Sequence, residues 1–333
     1  MLPLTPPRVL TLAPVRRLPP PGDGFVEAAV AVTERGEALV LSVEPAGADA
    51  VWADTPAPVQ RDGHAWRIAL IGPRTTRWHY VDGVHLDQPL IDRLPDGRLL
   101  LAGRRMALGE HRRYGGTAGA NAVLFDPRLG TRVALRLGHA IGGLAADALG
   151  RLWVSYLDEG VSGAALAEAG ARGDYAAALS AHGLVCLDHA GQALWRYPQA
   201  GGPVIDACYA MNVTGSAVWA FAYADFALTR VGAGFAMRHW ETAMQGSSVI
   251  AVAGEHVLFG PQYGEPAERY HLARLTGDRA EPVADVTLDL EDGPPMTATT
   301  VIARGGSLHA FAGGGWYRGG VASLTAGARP QGV

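Results

Sequence analysis

In three successive repeats of this chain a tyrosine is followed two residues later by an acid: Tyr156 with Asp158, Tyr223 with Asp225, and Tyr263 with Glu265. A phenol beside a carboxylate can grip a polar ligand from two sides. Carboxylates gathered from several such pairs raise one another's pKa, share acid and base roles, or hold a cation. A divalent cation such as Ca2+ is the cofactor that set would take. Glu159 extends the first pair, and His139, in LGHAIGG, has small neighbours that leave it accessible as a general base. Asp206 interrupts the apolar run PVIDACYAMN, where a carboxylate must be paired, metal-bound or lining a wet channel. Arg104 and Arg105 open the stretch RRMALGEHRRYGGTAGA, whose guanidinium groups favour an anionic ligand. His139, Asp206 and Asp225 are therefore the candidate catalytic groups. Tyr156, Asp158, Glu159, Tyr223, Tyr263, Glu265, Arg104 and Arg105 are the candidate ligand contacts.

Each of these has a plainer reading. A Tyr can cap a hydrophobic core while the acid after it accepts backbone N–H groups in a turn. His139 can be satisfied by neighbouring backbone, and the arginines can be ordinary surface charge. Asn212 reads as a turn residue before Gly215, and Trp153, Trp195 and Trp219 as core. No CxxC pair, HExxH, GxSxG, P-loop or post-strand GxGxxG is present. Zinc, nucleotide and serine-triad chemistry are thereby disfavoured.

The elements that must position these residues follow from a repeat. An apolar run, a glycine turn and a second apolar run recur as AVAVTERGEALVLSV (Ala29 to Val43), PLIDRLPDGRLLLAG (Pro89 to Gly103) and IGGLAADALGRLWVSY (Ile141 to Tyr156). The same pattern returns as ACYAMNVTGSAVWAFAY (Ala207 to Tyr223), SSVIAVAGEHVLFG (Ser247 to Gly260) and TTVIARGGSLHAFAG (Thr299 to Gly313). Its turn glycines, Gly36, Gly97, Gly150, Gly215, Gly254 and Gly306, stand about 54 residues apart on average. Short runs of Val, Leu, Trp and Tyr bounded by Gly or Asp are strands. AVLFDPRLGTRVALRL and GLVCLDHAGQALWRY add a second hairpin to two of the units. Two hairpins per repeat make a four-stranded antiparallel sheet, which buries both faces only between copies of itself.

The expected fold is all-β: one domain over residues 1–333, a six-bladed β-propeller of four-stranded antiparallel blades. The wide first glycine interval leaves room for a seventh blade. The last unit is one strand short, and the N-terminal run at about 7–15 closes it beside Val321 to Leu324. Loop insertions fall at 104–120 and 159–182, the second rich in Ala and carrying one short helix. In such a blade the loop entering the first strand and the loop leaving the second lie on one face. That face would carry His139, Asp206, the Tyr-acid pairs and Trp316 to Arg318 around one funnel; the other face has terse turns.

The units ending GRLWVSYLDEG and CYAMNVTGSAVWAFAYADF resemble those of uncharacterised bacterial six-bladed propeller proteins. They are more loosely similar to the NHL, gluconolactonase and strictosidine synthase group. That resemblance implies the propeller fold, and the charged loops and acids of the one face point to a small-molecule-binding protein, an enzyme of hydrolase (lactonase-like) or lyase type acting on a small polar substrate. A non-catalytic ligand-binding protein, or a scaffold with a protein partner, is the alternative.

Composition bounds the rest. All 28 basic residues among the 333 are Arg, the formal net charge is −4, and there is no basic stripe for nucleic acid. No apolar stretch approaches the roughly 20 residues of a membrane span, and the start lacks the apolar segment of a signal peptide. A cytoplasmic protein is expected, with Cys186 and Cys208 as reduced core thiols.

Overall fold

The computed structural model describes residues 7–52, 63–106, 113–114, 117–164, 178–198 and 200–325. It is all-β, built mainly of four-stranded antiparallel sheets whose strands follow one another in chain order. The chain divides into two compact units, Pro20–Cys208 and Tyr209–Val333 with Met1–Pro19.

In the first unit, β2 (Val26–Val32), β3 (Ala38–Val43), β4 (His64–Ile71) and β5 (Thr76–Val84) form one sheet. The next holds β6 (Pro89–Arg93), β7 (Leu99–Gly103), β10 (Ala122–Asp126) and β11 (Thr131–Leu135), with a tiny ladder of β8 (Arg113–Tyr114) and β9 (Thr117–Ala118) inserted between β7 and β10. The third holds β12 (Ile141–Ala146), β13 (Leu152–Tyr156), β14 (Leu184–Leu187) and β15 (Ala193–Arg196). Strands in the middle of a sheet are covered on both faces: β3, β7, β10 and β13 are buried at every position. This is why they read as unbroken apolar runs, whereas the outer β15 alternates and half-faces solvent. Two core clusters stitch the sheets together. One joins Leu41 and Trp66 to Leu101 and Val123; the other joins Leu100 and Leu124 to Val154 and Val185.

A fourth sheet, β16 (Ile205–Thr214), β17 (Ala217–Ala224), β18 (Leu228–Val231) and β19 (Met237–Trp240), begins as the first unit ends, the division falling within β16. The rest of the second unit is one eight-stranded sheet. It runs β20 (Ile250–Ala253), β21 (His256–Phe259), β22 (Arg269–Thr276), β23 (Arg279–Leu290), then β1 (Arg8–Arg17), β26 (Gly315–Gly320), β25 (Ser307–Ala312) and β24 (Thr300–Arg304). The N-terminal strand joins its two halves. Arg8–Leu12 pairs in parallel with β23, and Ala13–Arg17 pairs antiparallel with β26 across a bulge at Pro14. Proline fits a bulge because it has no N–H to contribute to the ladder.

Three sequence expectations need correcting here. Val321–Thr325 is a short helix, tied to β1 by the Arg8 guanidinium on the Leu324 carbonyl at 2.5 Å, and the partner of β1 lies one element earlier. Trp316 to Arg318 are not loop residues but the middle of β26, with Trp316 buried. The long first glycine interval reflects the long strands β4 and β5 and the one-turn helices Pro45–Gly47 and Ala50–Trp52, not an extra sheet among the described residues. The expected helical insertion is represented by Glu159–Ala164 and Ser180–His182; residues 165–177 lie outside the described residues. The hairpin glycines do occupy the left-handed region, with Gly305 taking the place of Gly306 in the last turn.

Buried His309 on β25 shows the energetic side of this packing. Its Nδ1 accepts the Trp316 indole N–H at 3.1 Å, and the rings stack at 5.8 Å. Burial, with the charges of Arg318 and Arg304 nearby, pushes the ring down to about 4. The folded ring stays neutral where the unfolded one takes a proton, so stability is full above the ordinary histidine value and is lost as pH falls toward the folded value. Urea titrations from pH 7 to 4 should show a loss on the order of 3 kcal/mol from this group. His309→Asn, which retains an acceptor for Trp316, should flatten that slope; an unchanged slope contradicts the assignment.

Candidate functional site

Within the second unit the structure brings four of the expected residues to one surface patch. β17 ends at Tyr223 and Ala224, and Asp225 and Phe226 form the turn into β18, with Phe226 at φ 49°. The Phe226 ring packs edge-on against Tyr223 at 5.5 Å and Tyr263 at 6.5 Å. Tyr209 on β16 completes the group, at 6.3 Å from Tyr223 and 5.9 Å from Tyr263. Tyr263 can lie there because the residue beneath it is Gly246, at φ 72°, where a Cβ would sit 2.5 Å from the ring. Tyr223 and Tyr263 remain 43% and 58% exposed, and Asp225 is exposed beside them. Edge-on aromatic faces open to water are a platform for an apolar ring face or for a cation.

Glu265 borders this patch and is held by partners that the sequence reading did not find. Its Oε2 lies 2.7 Å from His271 Nε2 and accepts the Gln262 N–H at 2.9 Å, while Arg269 Nε lies 3.4 Å from Oε1. On its other side His271 Nδ1 lies 3.1 Å from Asp285, which also accepts from Arg269 at 2.9 Å. Burial pushes the Glu265 carboxyl up, but the hydrogen bonds from His271 and Gln262 and the charges of His271 and Arg269 outweigh it and hold the group below the usual carboxylate range. A carboxylate held ionised in this way is an acceptor and an electrostatic anchor rather than a strong base. The missed signal was the alternation in β22, which puts Arg269 and His271 on one face, with Asp285 directly opposite His271 on β23.

In the first unit several candidates are committed to the framework. Tyr156 is fully buried and its hydroxyl donates to the Leu137 carbonyl at 2.5 Å. Arg104 donates to the carbonyls of Ile141 and Gly142 at 2.7 and 2.8 Å, and burial lowers its guanidinium from the ordinary value. Arg105 is half-buried and has partners of its own. Asp158 is exposed and caps Glu159 N–H at 2.9 Å. His139 is buried: its Nδ1 accepts the Met106 N–H at 3.0 Å, and Nε2 stands 3.5 Å from the exposed carboxylate of Glu159.

Asp206 is not in a buried environment. β16 alternates at this end, and the side chain faces out into a cavity of about 200 Å3. Val161, Ala181 and Ile205 supply apolar walls, and His182 and Tyr197 share the lining. His182 Nδ1 is 3.1 Å from the Tyr197 carbonyl, and the Tyr197 hydroxyl donates to the Pro203 carbonyl at 2.7 Å. A carbonyl only accepts, so Nδ1 carries the proton and the lone pair of the neutral ring is on Nε2. His182 is the functional candidate that sequence reasoning passed over, because it sat at the end of an Ala-rich run read as helix.

Among the described residues no group of three His, Cys, Asp or Glu side chains is placed to hold a metal ion, and no helix is long and apolar enough to cross a membrane. Both cysteines are buried free thiols, and burial pushes Cys186 up to about 12, which removes it as a nucleophile.

These sheets are the antiparallel unit from which β-propellers are built. The chain is similar to virginiamycin B lyase from Staphylococcus aureus at a TM-score of 0.46 and 10% identity, over 91% of this chain and 97% of that one. It is similar to a gluconolactonase from Xanthomonas campestris at 0.42 and 11%, over 91% and 99%, and to the β-propeller domain of the trilobed protease from Pyrococcus furiosus at 0.41 and 9%, over 86% and 79%. Likeness at this level carries no argument about activity. No protein-family model matches the chain, and no curated protein does.

Glu265→Gln should cost about 1–2 kcal/mol at pH 7, since it leaves His271 with a weaker partner. The stabilisation is present above the ordinary glutamate pKa and fades as pH falls through the lower folded value. Parent and variant urea curves should therefore converge in acid; a constant gap would contradict the account.

Proposed function

We propose that the chain is a six-bladed β-propeller that binds a small polar molecule and acts on it as a hydrolase or a lyase. The blade count takes the eight-stranded sheet as two units, β20 to β23 and β24 to β26 with β1, beside the four separate sheets. The observation that carries the functional reading is the cavity holding His182 and Asp206. Its volume of about 200 Å3 suits a ligand smaller than the drug-sized molecules of ordinary pockets. His182 is oriented by a backbone carbonyl, as a general base must be, and Asp206 supplies a carboxylate in the same lining.

In a hydrolytic reaction His182 Nε2 takes the proton from water as its oxygen attacks an acyl carbon, and returns it to the leaving alkoxide. In an elimination the same nitrogen takes a proton from carbon, the C–H electron pair becomes the new double bond, and the group on the neighbouring carbon leaves with the electrons of its broken bond. Asp206 orients the ligand's hydroxyl groups in either case. The exposed patch of Tyr209, Tyr223, Phe226 and Tyr263 favours a second reading, in which that surface holds a ligand without chemistry, as Tyr-rich binding surfaces do.

A panel of small lactones and of substrates for β-elimination, followed by ring opening or alkene absorbance, tests the proposal. Turnover should fall about 100-fold or more in His182→Gln and in Asp206→Asn, with KM changing far less. No turnover across the panel, or variants equal to the parent, would overturn it.

A further inference from the structure

The second unit carries a separate cavity of about 430 Å3 beside its hairpin turns at Gly254 and Gly277. Its floor is a pair of indoles, Trp219 and Trp240, stacked 5.4 Å apart and both buried. Arg230, Arg238 and Arg274 rise from β18, β19 and β22 around it. Arg230 lies over the Trp219 ring at 5.8 Å and Arg238 over Trp240 at 4.7 Å. An aromatic face holds a guanidinium without using its N–H donors, so these side chains are positioned while most of their donors are left to spend.

The charges do not balance within the site. Glu255 is the one acid of the lining among the described residues, and it is paired with Arg274 at 3.2 Å. Arg230 and Arg238 have no carboxylate partner among the described residues; Arg238 gives one N–H to the Gly277 carbonyl at 2.7 Å. They are moreover directly opposite each other in the β18–β19 ladder, where like charges repel. Both side chains are exposed, so water screens part of this repulsion, and an anion seated between them would relieve the rest.

We propose that this cavity is a binding site for a phosphate-class dianion, either free phosphate or a phosphomonoester. Two guanidiniums without a carboxylate partner among the described residues match two negative charges. Their planar forks offer paired N–H groups to the oxygens, which a lysine could not do.

Calorimetric titration at low ionic strength with inorganic phosphate, and separately with a sugar phosphate, tests the site, with chloride at matched ionic strength as the control. Saturable one-site binding of either is expected. Tighter binding of phosphate identifies the free ion, and tighter binding of the sugar phosphate a phosphorylated small molecule. Arg230→Gln and Arg238→Gln should each weaken binding on the order of tenfold or more, while the exposed control Arg74→Gln should not. Unchanged melting curves for the variants would establish that the fold is retained. If a variant melts early, Arg274→Gln serves instead and should also weaken binding, since it leaves Glu255 unneutralised beside the anion. No saturable binding of either probe, or equal affinity in parent and variants, would overturn the proposal.

Discussion

One buried side-chain amide holds the inner edges of the second unit together. Asn212, on the edge strand β16, donates to the carbonyls of Ile250 and Gly305 at 2.8 and 2.7 Å and accepts the Gly305 N–H at 2.8 Å. An edge strand that faces another sheet rather than water carries backbone groups that no ladder satisfies. A short amide that both donates and accepts meets that need at the single point where β16, the start of β20 and the β24–β25 turn converge. The first unit solves the same problem with Asp92, which accepts Ala146 N–H at 2.7 Å, and Asn121, which binds Gly103, Gly138 and Leu137. Apolar packing between sheets supplies the driving force, while these polar clips fix the register at which it operates.

The consequence for function is a division of labour along each strand. Residues at the middle of the strands are spent on packing, and even attractive candidates such as Tyr156 are absorbed when they sit at a strand end inside the core. Groups able to meet a ligand occur where the chain leaves the sheet: Tyr263 and Glu265 after β21, Asp225 after β17, and Asp206 at the first exposed position of β16. The hairpin-turn ends of β18, β19 and β22 carry guanidiniums laid on indoles instead, a surface of opposite chemical character.

Much of the architecture was legible because it is local. A turn glycine between two apolar runs is written within about fifteen residues, and strands covered on both faces betray themselves as continuous Leu, Val and Ala. The orphan N-terminal run was legible for the same reason, although its parallel pairing with β23 was not. What escaped notice depends on partners distant in sequence. Asn212 looked like a turn residue because its partner Gly305 is 93 positions away. Asp206 looked buried because its neighbours are apolar, yet the alternation of an edge strand turns it outward. His271 and Asp285 were passed over because neither belongs to a motif, and their meeting depends on the β22–β23 register.

The central claim is that the Asn212 clip, rather than sheet packing alone, locks the second unit in register. Amide hydrogen exchange at Gly305 measures it most directly. Although Gly305 lies in a hairpin turn, its N–H should exchange as slowly as the core amides of β17 and β21. Asn212→Leu should weaken that protection and lower global stability by roughly 1–2 kcal/mol, because the Ile250 carbonyl loses its side-chain donor while Gly305 keeps only its backbone bonds to Val213 and Val252 at 3.2 and 3.0 Å. Exchange at Gly305 as fast as at the open turn residue Gly254, with Asn212→Leu as stable as the parent, would contradict the account.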